Sequence, residues 1–233
     1  MRILCVVGLV SAGALVLAAC ASARRPGAET IAPSEAAADR GGTSNPVDED
    51  DEGPAFENLT PEQAATLSSA ETAARQLLQS PDFKALVTSI PASHERGTGW
   101  DHRSDPSGHA DDDGATIFVQ VGAAFPPAIR YQGYVAKRSR AIAVDGFADV
   151  VRINTVKMAG AGAFDYVNTI WHEVAHKADY FHHGNRRRGN ECTVPHMLGD
   201  AAAMAAEKAR TGRWGQLPAD ACEALRVARA QQP

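Results

Sequence analysis

Residues 61–233 predict an α+β domain, with helices packed against a small sheet, and three features of the sequence point that way. A capping pattern opens a helix at Thr60. Three runs of alternating apolar residues follow in the middle of the chain. An amphipathic stretch from Phe164 onward then leads to a further helix after Pro195. About 170 residues are enough for one hydrophobic core.

The first helix begins with Thr60 as N-cap, Pro61 at the first helical position and Gln63 at the reciprocal capping position. It is expected to run to about Gln79, with a short helix from Asp82 to Ser89 behind it. Residues 94–114 carry Gly, Pro, Ser, Asp and His without periodicity and read as a long loop. "ATIFVQVG" (115–122), "RAIAVD" (140–145) and "DVVRINTVKM" (149–158) alternate like strands. Gly160 and Gly162 break that pattern. Thr193 is the expected N-cap of the last long helix, with Pro195 in its first turn and an end near Arg210.

The N-terminus belongs to a different regime. Arg2 followed by the apolar run Ile3–Leu17 has the physics of a secretion signal and is too short to span a bilayer comfortably. Its end, Leu17-Ala18-Ala19-Cys20, resembles the lipobox of bacterial lipoproteins, in which the cysteine receives lipid. That resemblance implies a signal peptide over 1–19 and a membrane-anchored envelope lipoprotein on the periplasmic side. Ala21 after the cysteine favours the outer membrane in that pattern. Residues 20–60 are rich in Ala, Pro, Gly, Ser and acids, including "DEDDEG". They bury too little to offset their ordering entropy and read as a disordered tether.

Cys5 would leave with the signal and Cys20 would carry lipid, so Cys192 and Cys222 remain to pair in an oxidising compartment. The net charge is −5 and no basic stripe occurs, which argues against nucleic acid as a partner.

The densest chemistry lies in "NTIWHEVAHKADYFHHGN" (168–185). Val167, Ile170, Trp171, Val174, Ala178 and Phe181 recur at three- and four-residue steps, the mark of an amphipathic helix. His172 and His176 then share one face, a turn apart, where two imidazoles can grip one Zn²⁺. Glu173 follows the first histidine, placed to act as a base on water at the metal.

This His-Glu-x-x-His helix resembles that of the zincin metallopeptidases, although Lys177 stands where that family prefers an uncharged residue. The resemblance implies a zincin-like fold, a zinc ion, and hydrolysis of a peptide or protein substrate with Glu173 as general base. A cell-wall peptide crosslink is one such substrate. The alternative is a non-catalytic zincin-like lipoprotein, an envelope scaffold or zinc-binding module, for which Glu173 would have no use as a base.

A third protein ligand is required, and the residues offer several. His182 has the spacing of the metzincin branch, but Asp179 replaces the glycine at which that chain turns. If the helix runs on, six residues rotate His182 by about 600° and point it away. His183 would lie roughly 10 Å along the axis. Both then read as helix-end residues before Gly184. A second helix returning antiparallel would bring Asp200 level with His176, with small Gly199 and Ala201–Ala203 allowing close approach. Asp200 is therefore the expected third ligand. His196 is the alternative, with Asp200 then orienting a histidine ligand, and Glu191 is a further acid of shorter spacing. Tyr180, Tyr131 or a histidine of residues 94–109 would supply the second donor for the oxyanion, and 149–158 the sheet edge for substrate.

Overall fold

The capping pattern at Thr60 is formed in both directions in the computed structural model, which describes residues 56–93, 98–101, 112–135, 150–182 and 187–233. Thr60 Oγ1 accepts from Gln63 N at 3.3 Å, and Gln63 Oε1 accepts from Thr60 N at 2.9 Å. The described residues lie in one compact unit, 48–233. The signal, Cys20, almost all of the tether, "RAIAVD" and most of the 94–114 loop fall outside the described residues.

The order is β1 (Phe56–Glu57), α1 (Pro61–Gln76), α2 (Pro81–Thr88), β2 (Ala92–Ser93), β3 (Trp100–Asp101), α3 (Gly114–Ala124), β4 (Arg130–Tyr134), β5 (Val150–Asn154), α4 (Thr155–Met158), α5 (Ala163–Lys177), α6 (Val194–Thr211) and α7 (Glu223–Ala230). A single 3₁₀ turn, Leu77–Gln79, prolongs α1 to the expected end. The α+β class holds. Three strands form a parallel sheet in the order β1-β4-β5, with Gly133 opposite Ile153, and β2 pairs with β3 separately.

Residues 115–122 are helical rather than extended. Asp113 caps the new helix, its Oδ1 accepting from Thr116 N at 2.8 Å. Ile117 and Val121, four apart, are buried, whereas Val119, which a strand would place on their face, is 67% exposed. The run satisfies both periods, and packing chose the helical one. Gly114 makes that packing possible, because a Cβ there would lie 2.0 Å from Val87 O at the end of α2.

The strand in 149–158 is shorter than its alternation suggests. It ends at Asn154, whose side chain accepts from Val156 N at 3.2 Å and turns the chain into α4.

Helices, more than the sheet, surround α5, which packs most extensively on α6 and then on α1. Trp171 anchors it. Its Nε1 donates to Ala74 O of α1 at 3.2 Å, and its ring meets Phe83 and Phe125 edge-on with centroids 4.8 and 5.5 Å apart. Asn168 lies against Gly199 and Asp200, while His172 lies against His196, so α6 runs antiparallel to α5. A Cβ on Gly199 would come within 2.8 Å of Asn168 O, so the small residue is what lets the helices approach. Cys192 and Cys222 are bonded, joining the start of α6 to that of α7.

Candidate metal centre

α5 stops at Lys177, and its termination builds the site. Ala178 is the C-cap and Asp179 adopts φ +65°, the left-handed conformation. Asp179 N donates to His176 O at 3.1 Å and Tyr180 N to Ala175 O at 3.0 Å, the paired bonds of a Schellman motif. Aspartate and asparagine enter this region more readily than most side chains. The expectation that the helix continues to residue 183 is thereby corrected, and with it the ground on which His182 was set aside.

The reversal returns His182 to the helix face it has just left. Nε2 of His182 lies 3.2 Å from Nε2 of His172, and Nε2 of His176 lies 3.2 Å from the same atom. Among the described residues, these three form the group of metal-capable side chains, with ligand atoms all within 4.8 Å of one another. Two donors about 2.0–2.1 Å from a tetrahedral ion stand roughly 3.3 Å apart, so the spacing fits one ion. The rings also present the right atoms. Nδ1 of His176 lies 2.8 Å from Tyr180 O, and a carbonyl can only accept, so the proton sits on Nδ1 and the lone pair on Nε2. Burial comes first in holding His172 well below the usual imidazole pKa; the repulsion it would meet from His196, His176 and His182 if they too were protonated, and from the Arg187 guanidinium, adds to it. Glu173 is buried beside the pair, at 8% exposure.

No family model, curated protein or solved structure matches this chain. What the site can do therefore rests on its own geometry.

Asp200, the expected third ligand, is drawn elsewhere. Its carboxylate takes both terminal nitrogens of Arg187 and accepts from Asn168 Nδ2 at 2.9 Å. The register puts Asp200 level with Asn168, two turns from His176, because α5 is shorter than the sequence suggests. Burial raises the Asp200 pKa, opposed by the hydrogen bond and charge of Arg187. Arg187 Nε also lies 3.0 Å from Asp220 Oδ2 as an ion pair. Asp200 thus ties α5, α6 and the turn before α6 together beneath the histidines. Glu191 is not in the metal-capable group.

His196, the alternative ligand, comes close without joining the three. Its ring stacks on His182 (4.8 Å, 24°) and meets His172 edge-on at 4.6 Å. Its Nε2 is buried and has no hydrogen-bond partner among the described residues. An unpaired buried polar atom costs about 1–3 kcal/mol. Burial, then the repulsion a charge on it would meet from a protonated His182, from Arg187 and from a protonated His176, push its pKa down to about 3.

Of the expected oxyanion donors, Tyr131 is sealed in the core against Phe56, with ring centroids 5.6 Å apart. Tyr180 is equally buried, its hydroxyl held 2.7 Å from Asp112 Oδ2 and 2.8 Å from Gln120 Oε1. Its carbonyl, rather than its hydroxyl, faces the site. The histidines of 94–109 lie outside the described residues. Sequence reasoning missed Asn168 and Arg187, and it undervalued His182. The signal for the last was Asp179 itself, a residue type able to take the glycine's conformation.

Proposed function

We propose that this chain is a zinc-dependent peptidase of the bacterial cell envelope, with His172, His176 and His182 as ligands and Glu173 as general base. One observation carries the reading: Nε2 of His172 lies 3.2 Å from Nε2 of His176 and from Nε2 of His182, with all three ligand atoms within 4.8 Å of one another, on the turn and helix that also bear Glu173. An all-imidazole set suits zinc among the available divalent ions, and three protein ligands leave a fourth position for chemistry. The resemblance of His172-Glu173-Val174-Ala175-His176 to the zincin helix supports a peptide as substrate, and α5 backed by α6 supports a zincin-like arrangement.

Bound there, zinc would polarise the substrate carbonyl and make water acidic enough to lose a proton near neutral pH. The residues of the chain do the rest. Glu173 takes the proton of the attacking water and returns it to the leaving amine. The Tyr180 carbonyl keeps the His176 lone pair aimed inward. Anchoring through a lipid on Cys20, at the periplasmic side and on the outer membrane, is the reading its lipobox resemblance supports, and the acidic tether would give the domain reach.

The test is metal analysis of the purified chain together with turnover of a peptide library. One zinc per chain and metal-dependent cleavage are expected. A chain that binds zinc and cleaves neither peptides nor peptidoglycan crosslinks would overturn the peptidase reading.

A further inference from the structure

His196 has no part in the ligand set, yet it is built into the same cluster. It projects from the third residue of α6, stacks on His182 at 4.8 Å and meets His172 edge-on at 4.6 Å. It pairs with two of the three ligand rings, on the side of His172 and His182. Its Nε2 is enclosed, although no group among the described residues satisfies it. Buried polar atoms in native structures are nearly always paired, by protein, water, an ion or a ligand, and this one sits beside the proposed metal ligands. The tyrosines expected to face a substrate are committed elsewhere, Tyr180 to Asp112 and Gln120 and Tyr131 to the core.

Resting on the peptidase reading above, we propose that His196 is a catalytic residue. As the Nε2–H tautomer, it donates a hydrogen bond to the carbonyl oxygen of the substrate as water adds and negative charge gathers there. Ring stacking fixes the imidazole plane, so once substrate entry has opened the enclosure around Nε2 the donor needs little further reorganisation, which is what makes such groups effective. The stacking also explains why the residue comes from α6. The close approach at Gly199 brings that helix within reach of the ligand rings.

The experiment uses the full chain loaded with zinc and a phosphinic dialanine, in which PO₂–CH₂ replaces CO–NH and mimics the hydrated carbonyl. Its affinity is measured by calorimetry for wild type, His196→Ala, His196→Gln and His196→Asn, beside zinc content and Tm. His196→Ala should keep one zinc and bind the phosphinate about 10²-fold more weakly, with kcat falling while KM holds. Gln places an amide nitrogen near the Nε2 position and should restore part of the affinity; Asn, which places it near Nδ1, should not.

The proposal is overturned if His196→Ala binds within twofold of wild type, if it loses its zinc, or if Asn rescues as well as Gln. If the alanine variant unfolds, the comparison of Gln with Asn decides. A zinc-loaded wild type that ignores the phosphinate also overturns it. A wild type that takes no zinc overturns the metal site itself, which separates the two failures.

Discussion

The backbone carbonyl of Tyr180 lies 2.8 Å from Nδ1 of His176, so the turn that ends α5 also orients one of the imidazoles on it. The same turn delivers His182 to His172. Helix termination and site assembly are one structural event, and its pivot is Asp179 at φ +65°.

Asp179 should therefore tolerate glycine and reject a β-branched residue. Asp179→Gly is expected to match or slightly exceed wild type in stability, with zinc affinity unchanged. Asp179→Val should lose about 1–2 kcal/mol or more through left-handed strain and weaken zinc binding with it. Chemical denaturation and a zinc-competition titration read the two effects. Equal behaviour of the two variants would show that the turn does not depend on this conformation.

His182 and Asp200 should separate cleanly. His182→Ala is expected to lose zinc at least tenfold in affinity while keeping most of its metal-free stability. Asp200→Ala leaves Arg187 with Asp220 alone and Asn168 Nδ2 without its acceptor, a change worth roughly 1–3 kcal/mol, or about 5 °C in Tm. Zinc content of the folded fraction should stay near one per chain. Loss of zinc from Asp200→Ala without loss of Tm would return the ligand role to Asp200.

Glu173→Gln should retain zinc and lose hydrolysis by at least 10²-fold, the scale of general base catalysis. The amide keeps the shape of the side chain but cannot take a proton. Activity within a few fold of wild type would require another base.

The Cys192–Cys222 bond closes a 30-residue separation between the starts of α6 and α7. Removing it as the double serine variant should cost about 2–4 kcal/mol, read as a lower denaturation midpoint under oxidising conditions. The variant should fall no further on adding reductant, whereas wild type should fall to meet it.

Much of this was legible beforehand. Thr60, Pro61 and Gln63 announce α1 because capping is decided within four residues. Thr193 and Pro195 mark the start of α6 correctly, although the Thr193 hydroxyl donates to Asn190 O at 2.7 Å and does not cap the helix. The cysteine pairing followed from counting. Residues 115–122 were misread because "ATIFVQVG" fits a two-residue and a four-residue repeat equally well. Only the burial of Ile117 and Val121 on α2 and its neighbours separates the two. Asp200 was misplaced because its level depends on where α5 ends, and an error at that end shifts the whole antiparallel register.

The amino-acid sequence by itself determined the pair, His172 and His176 with Glu173 beside them, since an i, i+4 spacing on a helix places side chains together whatever surrounds it. Tertiary structure alone decided the third member. Whether six residues after His176 carry His182 away or bring it back depends on one backbone torsion at Asp179. The carbonyls of Ala175 and His176 hold that torsion through hydrogen bonds that exist only once the helix has stopped.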